Sequence, residues 1–430
     1  MLKRPIDHNS SRVPCVNGDR LWERHLAMSR IGATGRGGVN RQALTAEDAQ
    51  ARKLLLACAA QRGYSASIDP IGNLFIRRPG SQPHLSPVLA GSHLDSQPKG
   101  GNFDGVFGVL ATFETLEALD DAGFMTCRPV ELVVWMNEEG SRFPPATMGS
   151  GVLAGRLSLQ EALAVTDRSS ISVRTALGAH RGLLPPLTER ALNPDAFAYL
   201  EAHIEQGPVL EEKGLQIGIV TGIQGLSMLQ VTVRGEEAHA GTTPLRARRD
   251  AFVAATSLVQ ALREIASDPT DTLRFTVGRF EVSPGSPNTI PSQVYFTIDL
   301  RHPDEKILAG VADQLFEVCN RTEGSCIIEA QFILRSSPTE FDKQIVKVIR
   351  DAADILGFAH MDMISGATHD AKFIAEHCPT AMIFIPCKGG ISHNEAESAR
   401  REDLIAGAEV LCAAIQKLAM SSQLEQIPVI

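Results

Sequence analysis

The chain has 430 residues, with 41 Lys and Arg against 50 Asp and Glu, a formal net charge of −9. Hydrophobic residues at 43% and charged residues at 21% suit a globular protein long enough for two or three domains, and the acidic surplus argues against nucleic acid as a partner. No stretch approaches the roughly 18 apolar residues that cross a bilayer, residues 1–14 carry no signal-like apolar run, and the eight cysteines show no CxxC spacing, so free thiols in the cytoplasm are expected.

The segment Ile31–Asn40 holds four glycines but follows no apolar strand, so a mobile loop is expected rather than a dinucleotide site. Neither a GxxxxGK[ST] loop nor a GxSxG elbow occurs. Val88–Ser92 reads as a strand, and Val106, Phe107, Val109, Leu110, Phe113, Leu116 and Leu119 then recur at helical spacing. Val130–Met136, Phe197–Ile204 and Thr380–Ile385 are apolar runs suited to strands buried on both faces. The region from Leu226 to Arg335 differs: Leu229–Val233 and Val294–Ile298 alternate with period two, around a helical pattern at Ala251–Ile265. The expected fold class is α/β with a smaller α+β domain inserted, residues 1–222 and 337–430 forming the first domain and 223–336 the insertion.

Polar chemistry collects after the buried strands. His93, Asp95 and Asp104 follow the first, Glu138 and Glu139 the second; His203 closes the third and His393 follows the fourth. Loops beyond the carboxyl ends of such strands converge on one crevice. Singly, each residue is an ordinary loop pair, solvated face or core histidine. Together, His93, Asp104, Glu139, His203 and His393 are too many ligands for one catalytic zinc with an open position, and they suit two metals sharing a carboxylate. Asp104 is the expected bridge because its neighbouring glycines permit close approach. Asp95 is expected to accept the far ring N–H of His93, and Glu138 to act as general base.

Gly91–Gly105, Asn137–Phe143, His203–Gly207, His239–Pro244, Pro287–Pro291, Asp299–Arg301 and Gly390–Glu395 resemble, in order, the motifs of the amidase/carbamoylase branch of the M20 metallopeptidase-like family. The resemblance runs from about Asn17 to the end of the chain. It implies a zinc-peptidase-like catalytic domain on a mixed sheet, a small domain serving as lid and dimer interface, and two divalent ions, Zn2+, Mn2+, Co2+ or Ni2+. One ion would be held by His93, Asp104 and His203, the other by Asp104, Glu139 and His393. His239, reaching the other subunit of a homodimer, is implied in catalysis, and Asn288 and Arg301 in substrate binding. By themselves these three read as a strand-end histidine, a turn residue and a solvated charge. Gln206 and His369 are further substrate-binding candidates, and Thr368 stands where relatives more often carry Gly or Ser. The implied activity is hydrolysis of the carbamoyl C–N bond of an N-carbamoyl amino acid, a small substrate with a carboxylate. Allantoate or ureidoglycolate hydrolysis, N-acyl amino acid hydrolysis and a non-catalytic metal-binding protein remain alternatives.

Overall fold

The computed structural model describes residues 14–192, 195–321 and 324–421. The chain divides into two compact units, one running to Thr221 and resuming at Phe341, the other spanning Gly222–Glu340. No helix among the described residues is long and apolar enough to cross a membrane.

The larger unit is built on a mixed sheet. Of its ten strands among the described residues, eight lie in the order Ile217–Ile223, Thr380–Ile385, Ala198–Ile204, Val88–His93, Val130–Trp135, Leu74–Arg78, Ser65–Ile68 and Thr188–Glu189. The second to fifth run parallel, and Ile217–Ile223 and Leu74–Arg78 flank them antiparallel. Every residue of the four parallel strands is buried, which is why they read as continuous apolar runs. The strand beginning at Val130 ends one residue before the apolar run does, because the Met136 N–H turns aside to Asn73 Oδ1 at 3.0 Å.

Helix Val106–Asp121 is buried from its first residue through Leu119. A helix apolar all round belongs in a core. Its two glutamates are buried as well, and they are paired: Glu114 with Arg20 at 2.7 Å and Glu117 with Arg24 at 2.9 Å.

The glycine-rich segment, expected to be mobile, is pinned. Val39 exchanges two backbone hydrogen bonds of 3.0 Å with Gly100, and a Cβ on Gly38 would lie 2.5 Å from the Gly100 carbonyl oxygen. Gly32 and Gly38 serve close packing, whereas a Cβ on Gly35 would meet no atom within 4 Å.

The smaller unit is an antiparallel sheet in the order Arg274–Ser283, Gln293–His302, Gly225–Arg234, Ile327–Ser336. Alternate residues of the two central strands are buried. They join Leu258 and Leu262 of helix Ala251–Ile265 and Leu308 and Leu315 of helix Glu305–Arg321 in one core. The alternation predicted at Leu229–Val233 and Val294–Ile298 is the face that meets these helices.

Candidate metal centre

Because four neighbouring strands are parallel, their carboxyl ends share one side of the sheet. His93 is the last residue of its strand, Glu138 and Glu139 follow Trp135, His203 lies one residue before the end of its strand, and His393 follows Ile385 through a short turn. Asp104 sits in the loop between His93 and helix Val106–Asp121. Its Oδ1 is 3.1 Å from His203 Nε2 and 3.5 Å from His93 Nε2. Its Oδ2 is 3.3 Å from His393 Nε2, which lies 3.3 Å from Glu139 Oε2. The five residues therefore form two groups that share Asp104, His93–Asp104–His203 and Asp104–Glu139–His393. The first group is buried; the second opens to solvent at His393. Glu138 belongs to neither group, and its Oε2 is 3.6 Å from His93 Nε2.

The donor set fits divalent ions, and the ring nitrogens show why. His93 Nδ1 is 2.9 Å from the Asp95 carbonyl oxygen and His203 Nδ1 is 2.8 Å from the Ile204 carbonyl oxygen. A ring nitrogen facing a carbonyl must carry a proton, so in the neutral ring each Nε2 lone pair is directed toward Asp104, as a metal ligand requires. The Gly105 N–H also meets His203 Nε2, at 3.1 Å. The contact of Asp95 with His93 Nδ1 is made by its main chain rather than by the side chain. Its carboxylate, 3.7 Å from the ring, instead accepts the N–H groups of Glu138 and Glu139, each at 3.2 Å. The side chain thus holds the loop carrying the base candidate and a candidate ligand.

Close approach is built in. Gly105 has φ +67°, and a Cβ there would lie 2.4 Å from Cε1 and Nε2 of His93. Asn137, Thr147, Gln206 and His393 also adopt positive φ. Such conformations concentrate where surrounding structure must hold functional groups.

The charges are strongly coupled. Burial raises the Glu138 carboxyl well above its ordinary range; His93 opposes this, and Asp370, Glu139 and Asp104 add to it. Glu139 is pushed up to about 7, first by burial and then by Asp104. Burial would also raise Asp104, but His203, His393 and His93, which in their charged form donate to it through Nε2, outweigh burial and hold this carboxylate well below the usual range. A group of raised pKa beside a persistently anionic one suits proton transfer next to a cation site.

Gln206 is engaged within the centre: its Nε2 donates to Asp104 Oδ2 at 2.9 Å and to Ser392 Oγ at 3.1 Å, while its buried Oε1 has no partner among the described residues. His369 is buried with its ring 4.5 Å from that of His203, and its Nε2 is 3.1 Å from Ser365 Oγ. Ser392 and Glu397 were not singled out from sequence. A serine before a ligand and a glutamate four residues after it carry no signal until the loop folds.

His239, Asn288 and Arg301 belong to the smaller unit. The two-residue ladder Ala238–His239 with Thr289–Ile290 puts His239 opposite Thr289, next to Asn288. His239 Nδ1 accepts from the N–H groups of Gly241 and Thr242 at 3.1 and 3.2 Å, so the exposed ring carries its proton on Nε2. Arg301 forks onto Asp299 through Nε and Nη2 at 2.8 and 3.0 Å.

Residues 89–417 match the family model described as peptidase family M20/M25/M40. This chain belongs to that family. Over 408 residues it is 41% identical to the N-carbamoyl-L-amino-acid amidohydrolase of Rhizobium meliloti, covering 94% of this chain and 97% of the relative. The allantoate amidohydrolase of Bacillus subtilis is 34% identical over 397 residues, 91% of this chain and 95% of the relative. A crystal structure of a hydantoinase/carbamoylase family amidase from Burkholderia multivorans superposes with a TM-score of 0.86 at 40% identity, over 95% of this chain and all of that one. The protein is thus an M20-family hydrolase of the amidase branch, acting on carbon–nitrogen bonds other than peptide bonds.

Proposed function

We propose that this M20-family hydrolase cleaves the carbamoyl C–N bond of an N-carbamoyl amino acid, yielding the amino acid, carbon dioxide and ammonia. The observation that carries the reading is Asp104 presenting one oxygen to each of two ligand groups, with Glu138 beside them and outside both. The relative at 41% identity supports the substrate class.

His93, Asp104 and His203 would hold one divalent ion, and Asp104, Glu139 and His393 a second; Zn2+, Mn2+, Co2+ and Ni2+ all suit imidazole and carboxylate. Ions there supply Lewis acidity to a carbonyl and acidify water near neutral pH. That help matters because both nitrogens of a ureido group donate into its carbonyl and leave it a poor electrophile. Glu138 takes a proton from the attacking water and returns it to the departing nitrogen, a role suited to a carboxyl whose pKa burial has raised. The Nε2–H of His239, in the neighbouring subunit of a homodimer, donates to the developing oxyanion. Arg301 and Asn288 hold the substrate carboxylate, the smaller domain acting as lid.

The test is ammonia release from N-carbamoyl-L-amino acids and N-carbamoyl-β-alanine, by protein loaded with Mn2+ or Zn2+ and by a chelated control. Metal-dependent ammonia is the expected result. Silence across the panel, in protein holding two ions per chain, overturns the N-carbamoyl reading. It would favour allantoate or ureidoglycolate, a second reading that rests on the Bacillus subtilis relative.

A further inference from the structure

We infer that Glu397 is a positioning residue of this centre, bracing the Asp104 loop against the His393 loop so that one carboxylate serves both ligand groups. The inference rests on the metal-centre reading and adds a residue that contacts neither ion nor substrate.

Glu397 is only 4% exposed. Its Oε1 accepts the N–H of Phe103 at 2.8 Å and of Asp104 at 3.1 Å, fixing the backbone at the shared ligand itself. Its Oε2 lies 2.9 Å from Ser392 Oγ, the residue immediately before His393. Ser392 Oγ in turn is 3.0 Å from Asp104 Oδ2, and Gln206 Nε2 donates to both of those oxygens. One side chain is thereby tied to a ligand-bearing loop on each side, nearly 300 residues apart in sequence. The chain has also made room for it. A Cβ on Gly101 would lie 1.9 Å from Cδ of Glu397 and 2.0 and 2.3 Å from its oxygens, so only glycine at 101 lets the carboxylate reach the Asp104 amide.

The chemistry of the contacts distinguishes positioning from charge. Two buried N–H groups need an acceptor, which an amide oxygen supplies as well as a carboxylate. The Ser392 hydroxyl has one hydrogen and can serve only one carboxylate at a time. In Glu397→Gln, the amide Oε1 keeps both backbone bonds and the amide NH2 donates to Ser392 Oγ, leaving the hydroxyl hydrogen for Asp104. In Glu397→Ala, both amides lose their acceptor and the loops lose their tie.

The experiment compares wild type, Glu397→Gln, Glu397→Ala and Gly101→Ala as full-length proteins. It reads Co2+ affinity by chelator competition, the visible Co2+ spectrum, and the melting temperature of the metal-free protein. Removing such an outer partner lowers metal affinity by roughly 10–100-fold. That loss, with an altered spectrum, is expected for Glu397→Ala and for Gly101→Ala, which displaces the carboxylate without deleting it. Glu397→Gln is expected to bind Co2+ with near wild-type affinity and spectrum. Wild-type affinity in Glu397→Ala overturns the inference, as does a Gln variant as weak as the Ala variant. Should Glu397→Ala not fold, the contrast between Glu397→Gln and Gly101→Ala decides in the same way. Wild-type protein that binds no Co2+ removes the metal-centre reading, and this inference with it.

Discussion

Glu138 and Glu139 are adjacent in sequence but face different tasks: Glu139 points to His393, while Glu138 faces His93 from outside both ligand groups. General acid–base catalysis by a positioned side chain is worth about 10²–10⁴-fold. Glu138→Gln is therefore expected to lower kcat by about that factor while bound metal, measured by elemental analysis, stays at the wild-type level. An unchanged kcat would remove Glu138 as the base. At Arg301 the pairing with Asp299 matters, because a substrate carboxylate would share a guanidinium whose Nε and Nη2 are already turned toward an acid. Lysine offers a point charge and no fork. Arg301→Lys should raise KM for carboxylate substrates by roughly 10-fold or more, the value of one charge-assisted hydrogen bond; steady-state kinetics with KM and kcat both unmoved would exclude Arg301 as the anchor.

Elements meet at the centre through glycines. Gly108 lies in helix Val106–Asp121, where an exposed Gly→Ala change would gain about 1 kcal/mol in helix propensity. Here an added Cβ would lie 2.2 Å from the Ala202 carbonyl oxygen and 2.9 Å from Ser92 Cβ, between two of the strands that carry candidate ligands. Overpacking of that kind costs about 1–3 kcal/mol and outweighs the propensity gain. Gly108→Ala should lower the urea midpoint of the metal-free protein; a raised midpoint would show that helix and sheet separate freely. Buried parallel strands and the alternating strands of the smaller unit were legible in the sequence because side-chain period reports burial directly. The antiparallel flanks Leu74–Arg78 and Ile217–Ile223 were not read, since short apolar runs have no pattern of their own. In the loop Ile31–Asn40 glycine permits freedom and close approach equally, and only the neighbours of Gly32 and Gly38, with the Val39–Gly100 hydrogen bonds, show close approach there.

For the whole molecule, stability should carry an acid limb from His25. This histidine is 3% exposed in helix Gly18–Ser29, its ring stacked on Phe103 and Phe107, with neither nitrogen partnered among the described residues. Burial, helped by Arg24, lowers its pKa from 6.5 to about 3. Between those values the unfolded chain binds one proton more than the folded one, so stability falls as the pH drops through that window, by on the order of 1 kcal/mol per pH unit. Urea titrations of metal-free protein from pH 7 to pH 4 should show the decline, and His25→Phe should flatten it; an identical slope in the variant would assign the limb to other groups. A homodimer with shared sites makes a separate prediction. Mixing His239→Ala with Glu138→Gln subunits should recover activity absent from either alone, by forming one intact site per mixed dimer. No recovery after subunit exchange would place His239 and Glu138 in the same subunit's site or outside it.

The sequence by itself determined the four buried parallel strands, that ligand-type residues follow them, and the order of motifs that marks the M20 amidase branch. These are local properties: a side chain's period and its neighbours in the chain are written in order. Tertiary structure alone decided that Asp95 orients His93 through its carbonyl, that Gln206 is turned onto Asp104, and that Glu397 joins loops nearly 300 residues apart. Each depends on hydrogen-bond directions between segments distant in sequence, and those directions exist only once the parallel strands have brought the loops to one side of the sheet.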